Sequence, residues 1–277
     1  MAARFFIGPA GWSYADWAGI VYPQEIIRRR QQLPWLARQF DLVEINTSFY
    51  RIPSPAMTAS WLRAVSDRPA FRFTVKLFQG ITHAQRLDPV VVADCRNAIA
   101  PLHNEGRLGG LLLQFPWSFH CGRREKIFLR RVLDAFEGFP LAVEVRHGSW
   151  NQDAFFDYLH SRAVMFCNID QPLIGDSLEL TARVTAPSAY LRLHGRNQAD
   201  WFRPDAGVAQ RYNYLYSEGE IAALAAIAEA LGREADHVYI VTNNHYRGKA
   251  VVNALQLSRR LISGFSPAWE PDLGTIP

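Results

Sequence analysis

The sequence predicts a single (β/α)8 TIM barrel that spans residues 1–277. Short apolar runs alternate with amphipathic helical segments along almost the whole chain, a pattern typical of parallel strands joined by right-handed helical crossovers. Eight such units within 277 residues match the usual size of this barrel. No Gly-x-Gly-x-x-Gly turn follows the first strand, which disfavours the competing open sheet of a dinucleotide-binding domain.

Each predicted strand is a run of apolar residues that ends at a turn or a polar residue. The first run ends in Gly-Pro-Ala-Gly, and the third alternates aromatic or aliphatic residues with polar ones. The fifth places Glu144 and Arg146 on one face of an otherwise apolar strand. The predicted strands are 4–8, 42–46, 71–76, 110–114, 141–146, 164–170, 190–194 and 237–243.

Capping residues predict where several helices begin. Ser54 and Asp88 each precede a proline, which is favoured at the first helical position. The spacings Ser149–Gln152 and Ser217–Glu220 predict two capping boxes. Further helices are expected over 33–40, from about 123, and over 250–262.

Two segments depart from the regular repeat. Residues 171–188 have no helical period, so the sixth helical unit is expected to be irregular. Residues 195–216 are expected to form a long loop rich in aromatic residues, among them Trp201 and Phe202.

Composition indicates a cytoplasmic protein without a membrane segment. The formal charge of +4 permits an anionic ligand but does not by itself indicate nucleic acid. The three cysteines have no metal-binding spacing and are expected to be reduced thiols. No apolar run approaches the ~20 residues of a membrane span, and the chain starts without a signal-peptide pattern.

Polar residues at the ends of seven predicted strands form the candidate site. In barrels of this class the active site lies at the carboxyl ends of the strands. Buried charges without partners cost several kcal/mol each, so these residues need one another, water or a ligand. The strand-end residues are Glu44, Asn46, Lys76, Gln114, Glu144, Arg146, Asn168, Asp170, Arg192, His194, Arg196, Asn243 and Asn244.

The residue types indicate acid/base chemistry on an anionic ligand. A glutamate beside a lysine or arginine can act as a general base, and Lys76 or His194 can donate a proton. Arginines suit bidentate binding of carboxylate or phosphate. The catalytic candidates are Glu44, Lys76, Glu144, Asp170 and His194. The substrate-binding candidates are Trp12, Asn46, Tyr50, His83, Gln114, Arg146, Arg192, Arg196, Asn243 and Asn244.

Two other arrangements of the same residues stay open. Glu44 and Glu144 can form a closed salt-bridge network with Lys76 and Arg146. Two glutamates, an aspartate and a histidine can also bind Mn²⁺, Mg²⁺ or Zn²⁺. Three arginines compete with a dication there and no His-x-His or His-Glu-x-x-His pair occurs, so no cofactor is predicted.

The chain resembles the DUF72 (YecE-like) family. The resemblance implies a TIM barrel, and the family's biochemical activity is not established. The segments that carry it are Ile7-Gly-Pro-Ala-Gly-Trp12, Tyr22-Pro23, Val43-Glu-Ile-Asn-Thr-Ser-Phe-Tyr50, Phe73-Thr-Val-Lys76, Ile81-Thr-His83, Leu113-Gln-Phe-Pro116, Val143-Glu-Val-Arg-His147, Ser149-Trp150, Tyr190-Leu-Arg-Leu-His-Gly-Arg196 and Asn243-Asn-His245.

These observations favour an enzyme acting on a small anionic or polyhydroxylated substrate. Isomerase, lyase and hydrolase chemistry stay open. One alternative is a nucleic-acid-binding or phosphodiesterase-like protein, which requires an open basic groove and binding that weakens with salt. Another is a ligand-binding protein without turnover. The sequence does not indicate an oligomeric state.

Overall fold

Eight parallel strands form a (β/α)8 TIM barrel in the computed structural model, which describes residues 3–198 and 208–271. The order around the sheet is β1-β8-β7-β6-β5-β4-β3-β2, and every ladder is parallel. This confirms the predicted fold class. The strands are β1 (Arg4–Pro9), β2 (Leu42–Ile45), β3 (Arg72–Lys76), β4 (Leu108–Gln114), β5 (Leu141–Glu144), β6 (Met165–Asp170), β7 (Ser188–Leu193) and β8 (His237–Thr242).

The barrel closes at a short seam between β1 and β2. Ala10 pairs with Glu44 in an isolated parallel bridge, and the Gly11 amide donates to the Glu44 carbonyl oxygen at 2.8 Å. Gly8 lies so close to Leu42 that an added Cβ would sit 1.8 Å from its carbonyl oxygen. Only glycine permits this approach of two backbones.

Helices surround the barrel and follow most strands. They are α1 (Gln24–Arg28), α2 (Gln32–Ala37), α3 (Thr47–Tyr50), α4 (Pro55–Ala64), α5 (Gln79–Thr82), α6 (Pro89–Asn104), α7 (Arg123–Ala135), α8 (Asp153–Ser161), α9 (Val208–Arg211), α10 (Glu218–Gly232) and α11 (Lys249–Leu261). Within residues 3–198 and 208–271, no helix combines the length and apolar character needed to cross a bilayer.

Aromatic side chains fill the amino-terminal half of the barrel interior. The rings of Phe6 and Tyr239 stack with their centroids 5.2 Å apart, and the Arg72 guanidinium lies 5.6 Å from the centre of the Phe6 ring. Tyr190 on β7 also points into the barrel and is fully buried. This packing blocks the amino-terminal end, so the polar strand ends are reached from the carboxyl-terminal side.

The helix starts were predicted correctly except at one position. Ser54 and Asp88 accept hydrogen bonds from the first turns of α4 and α6, and Ser217 with Glu220 forms the capping box of α10. The capping box predicted at Ser149–Gln152 is wrong. The Ser149 hydroxyl instead accepts a hydrogen bond from the Cys121 amide at 2.9 Å. This oxygen therefore bonds to a residue distant in sequence and not to the helix that follows it.

The 171–188 segment was also predicted correctly, since residues 171–187 contain no helix. The long loop predicted over 195–216 is interrupted by the short helix α9. Trp201 and Phe202 lie outside the described residues. His147, not Ser149, caps a 3-10 turn at Gly148–Trp150.

We expect Gly8→Ala to destabilise the protein by ~2 kcal/mol or more, because the new methyl group overlaps the Leu42 carbonyl oxygen at the seam. Urea denaturation followed by circular dichroism measures the change. Gly219→Ala, in the first turn of α10 with no atom within 4 Å of an added Cβ, is the control and should be neutral or stabilising. Equal stability of the two variants would contradict the seam assignment.

Candidate functional site

Polar side chains face the barrel axis at the carboxyl ends of the strands, a region that we call the mouth. Because every second residue of an extended segment points to the same face, Tyr190 and Arg192 on β7 and His194 directly after it all project inward. Glu44 on β2 and Glu144 on β5 meet them there. The sequence-predicted residues that the structure brings to the mouth are Glu44, Asn46, Lys76, Gln114, Glu144, Arg146, Arg192, His194 and Asn243.

Arg192 bridges the two glutamates across the barrel. Its Nη2 donates to Glu44 Oε1 at 2.6 Å, its Nε to Glu44 Oε2 at 3.0 Å, and its Nη1 to Glu144 Oε2 at 3.0 Å. The Arg192 side chain is 1% exposed and both glutamates are 0% exposed. Two carboxylates on opposite sides of the interior are therefore neutralised through one guanidinium.

Arg146 and His194 complete this set. Arg146 donates from Nε and Nη2 to Glu144 Oε1, at 3.0 and 2.7 Å, and His194 Nε2 lies 3.3 Å from the same oxygen. We call Glu44, Glu144, Arg146, Arg192 and His194 the buried ion cluster. The exposed fraction of the Arg146 side chain is 11%, the largest of the five.

The cluster fixes the protonation of its members. Burial alone would raise the pKa of Glu144, but the Arg192 and Arg146 charges hold this pKa well below its ordinary value. Burial, followed by the charge of Arg146, lowers the pKa of His194 to about 3. Near neutral pH Glu144 is therefore ionised and the His194 ring is uncharged.

Hydrogen bonds below and beside the cluster hold it in place. The Tyr190 hydroxyl lies 2.8 Å from both Glu44 Oε2 and Thr74 Oγ1, so it donates to the carboxylate and accepts from the threonine. Asn243 Nδ2 lies 3.0 Å from His194 Nδ1 and orients the ring. Tyr190 and Thr74 were missed in the sequence, although Tyr190 lies two residues before Arg192 and so shares its face.

Lys76 lies at the end of β3, outside the salt-bridge network predicted for it. Among the described residues no carboxylate oxygen lies within 4 Å of its Nζ, which is instead 3.8 Å from the centre of the Phe49 ring. Burial, followed by the charge of Arg192, lowers the pKa of Lys76 to about 7. Its amine is therefore partly uncharged at neutral pH.

His83 and Gln114 lie at the edge of the mouth. The His83 ring packs edge-on against Phe49 with centroids 4.8 Å apart, and burial followed by the Lys76 charge lowers the pKa of His83 to about 4. Gln114 is buried, and its Nε2 donates to the Phe115 carbonyl at 2.6 Å.

Four predicted site residues are not brought together with the cluster. Asp170 binds Arg196 through both carboxylate oxygens, which fastens the loop after β7. Asn168 donates to the Arg183 carbonyl oxygen, and Asn244 donates to that of Tyr214. On β6 it is Met165 and Cys167 that point inward, with Cys167 Sγ 4.0 Å from Glu144 Oε2, so Asn168 and Asp170 lie on the outer face.

A cleft opens next to the mouth, between the loops that follow β1 and β2. Its volume is ≈ 830 Å³. Predicted residues Trp12, Asn46 and Tyr50 line it, together with Tyr14 and Trp61, which the sequence did not indicate. Trp61 comes from α4, so no strand-end signal could have revealed it. We call this space the aromatic cleft.

Among the described residues, three or more His, Cys, Asp or Glu side chains nowhere come together in a group that could hold a metal ion. His194 and the carboxylates of Glu44 and Glu144 at the mouth all contact arginine side chains. These residues consequently suit an ion network better than a dication.

Comparison with known proteins identifies the family. A family model described as "Protein of unknown function DUF72" matches residues 6–272. The chain belongs to the DUF72 family. The DUF72 chain is similar to UPF0759 protein YunF of Bacillus subtilis, with 27% identity over 282 residues that cover 95% of this chain and 97% of the relative. UPF0759 protein YecE of Escherichia coli K12 is 34% identical over 147 residues, 51% of this chain and 48% of the relative.

Solved structures of DUF72 family proteins have the same fold. One from Thermotoga maritima matches with a TM-score of 0.83 and 33% identity, covering 93% of this chain and 99% of that chain. One from Enterococcus faecalis matches with a TM-score of 0.83 and 27% identity, covering 98% and 100%. These findings confirm the predicted family and barrel, and they name no activity.

Arg192→Met should destabilise the DUF72 protein by ~3–5 kcal/mol, because Glu44 and Glu144 would then be buried without a shared cation. Chemical denaturation measures the loss. The triple variant with Glu44→Gln and Glu144→Gln added should recover part of it. No recovery would contradict the assignment of the loss to unpaired carboxylates.

Stability should also depend on pH through His194. Its pKa is about 3 when folded against ~6.5 when unfolded, so the unfolded chain binds the extra proton. The histidine's contribution is therefore complete above pH ~6.5 and is lost progressively as the pH falls towards 3.

We expect His194→Gln to reduce the slope of unfolding free energy against pH, between pH 6 and 4, by ~1 kcal/mol per pH unit. Urea denaturation at each pH measures it. The wild-type protein, measured at the same pH values, is the reference. An unchanged slope in His194→Gln would mean that this ring does not stay neutral.

Proposed function

We propose that this DUF72 protein is an enzyme that uses Lys76 for proton transfer on a small anionic or polyhydroxylated substrate bound at the mouth. The observation that carries the proposal is the environment of Lys76. Its Nζ lies at the carboxyl end of β3, without a carboxylate within 4 Å among the described residues, and its pKa is about 7. A general acid or base is most effective when its pKa is near the operating pH.

The other catalytic candidates are less suited to proton transfer. Glu44 and Glu144 are fully buried and bonded to Arg192, and the lowered pKa of Glu144 makes it a weak base. His194 is equally buried and does not accept a proton until about pH 3. Lys76 is therefore the better candidate for proton transfer, since burial, followed by the charge of Arg192, lowers its pKa to about 7.

Arg146 is suited to contact an anionic group of the substrate. It is the most exposed member of the buried ion cluster, and its planar guanidinium favours carboxylate or phosphate. Its charge also lowers the pKa of Lys76. An anion bound beside Arg146 would offset that charge and raise the pKa of Lys76, so binding would promote protonation of the amine.

The use of lysine in this chain supports a role for an amine. Lysine and arginine total 30 residues, but lysine occurs only at positions 76, 126 and 249. Arginine stays protonated at any physiological pH, whereas a buried lysine can release its proton near neutrality. An arginine at position 76 therefore could not transfer a proton, although arginine is the more frequent cation in this chain.

We expect trace acetylation of the native protein at a series of pH values to show a titration of Lys76 near pH 7, read by mass spectrometry. Lys126, exposed on α7, is the internal reference. Glucose 6-phosphate, glycerol 3-phosphate, citrate and inorganic phosphate should protect Lys76 if they bind at the mouth. A Lys76 that titrates with ordinary lysines would overturn the proposal.

Turnover is tested by ¹H NMR in D₂O, which detects exchange of carbon-bound protons in the same organic compounds and in 2-oxo acids. Lys76→Arg and Lys76→Met form a matched pair, and both should lower exchange at least ~100-fold because neither carries a dissociable amine. Full exchange in Lys76→Arg would exclude proton transfer by this residue. Ligand binding without exchange for any compound would indicate the non-catalytic binding protein instead.

A further inference from the structure

We propose that the aromatic cleft is a subsite for the pyranose ring of a sugar, placed beside the mouth. This inference deepens the proposed function and rests on it for the location of the reacting group. The cleft belongs to the size range of ~300–1,000 Å³ found for small-molecule sites, and such sites occur at barrel mouths.

Aromatic side chains provide the apolar walls. Trp12 and Trp61 pack edge to face, with ring centroids 5.4 Å apart and planes at 83°. Tyr50 stands at the entrance with 64% of its surface exposed, which is unusual for so large an apolar side chain. A ligand with an apolar face can cover these rings and remove their surface from water.

Polar side chains line the same cleft. Asn46 and Asn97 offer amide donors and acceptors, Ser13 and Thr47 offer hydroxyls, and Asp94 offers a carboxylate. A pyranose ring combines a face of C–H bonds with an edge of hydroxyl groups. It can therefore stack on an aromatic wall and hydrogen-bond to the polar groups at once.

The shape and charge of the walls favour a sugar over a nucleobase or a polyphosphate. The two tryptophan planes are nearly perpendicular, so they do not form the parallel-sided slot that a flat base needs on both faces. The Asp94 carboxylate accepts hydrogen bonds from hydroxyl groups, and the cleft has no excess of positive charge to bind a phosphate chain. Arg51 also lines the cleft, which keeps its formal charge balanced.

Asn46 connects the cleft to the mouth. It lines the cleft, and its Nδ2 lies 3.5 Å from Oδ1 of Asn243, the residue that contacts His194. A ring held against Trp12 and Tyr50 would thus extend its substituents past Asn46 towards the buried ion cluster. The cleft would hold the sugar ring while the mouth receives the anionic or reacting group.

Saturation-transfer NMR on the full-length protein tests the proposal with methyl β-D-glucopyranoside, cellobiose and glucose 6-phosphate, and with sorbitol as an open-chain control. We expect transfer to the ring C–H protons of the three pyranosides and little transfer to sorbitol. Tyr50→Ala should weaken binding at least ~5-fold without unfolding the protein, because the side chain is exposed. Leu173→Ala, an exposed apolar site outside the cleft, should bind as wild type.

Trp61→Phe and Trp61→Ala provide a second pair, in which phenylalanine should retain more affinity than alanine. We expect the three pyranosides to bind with a Kd below ~0.5 mM. Failure of all three to bind at about a hundred times that concentration, ~50 mM, would overturn the subsite. Binding that is unaffected by Tyr50→Ala and by Trp61→Ala would do the same, while the Lys76 titration would still decide the proposed function.

Discussion

The structure of the barrel mouth depends on the hydrogen bonds that Arg192 donates to Glu44 and Glu144. Its guanidinium offers donors in two directions, so one residue from β7 reaches Glu44 on β2 and Glu144 on β5. A lysine ammonium at this place could not satisfy both carboxylates with fixed geometry. Because all three side chains are essentially unexposed, their desolvation is offset only when this geometry is complete. The buried ion cluster thus closes the barrel interior, so the proposed proton transfer has to occur on its carboxyl-terminal side.

The charge balance of the buried ion cluster explains why Lys76 differs from the other cations. The carboxylates of Glu44 and Glu144 match the two guanidiniums of Arg146 and Arg192, and His194 adds no charge near neutral pH. Lys76 is therefore an additional cation beside a neutral assembly, and its desolvation is not repaid by a close carboxylate. The Phe49 ring 3.8 Å away offsets part of that cost and keeps the amine in place. Burial without a close carboxylate is therefore the main reason that the pKa of this amine is lowered.

Strand alternation predicted much of the fold and of the mouth, but it could not say which face of a strand points inward. Arg192 on β7 and His194 directly after it lie on the inward face, so they meet Glu44 and Glu144 as expected. On β6 the polar residues lie on the outward face, and the side chain of Cys167 faces the interior, 4.0 Å from Glu144. Both faces of a strand in a parallel barrel are buried, which removes the hydrophobic signal that would distinguish them. Contacts between distant segments, such as Cys121 with Ser149, leave no local pattern at all.

The seam of the barrel also determines the width of the aromatic cleft. Trp12 follows β1 and Asn46 follows β2, so the distance between these strands sets the separation of the two cleft walls. That distance is fixed by the bridge between Ala10 and Glu44 and by the missing side chain at Gly8. Glu44 belongs to both structures, since its backbone holds the seam while its carboxylate binds Arg192. The buried ion cluster and the proposed ring subsite are therefore positioned by the same residue, and we expect a substitution of Glu44 to disturb both.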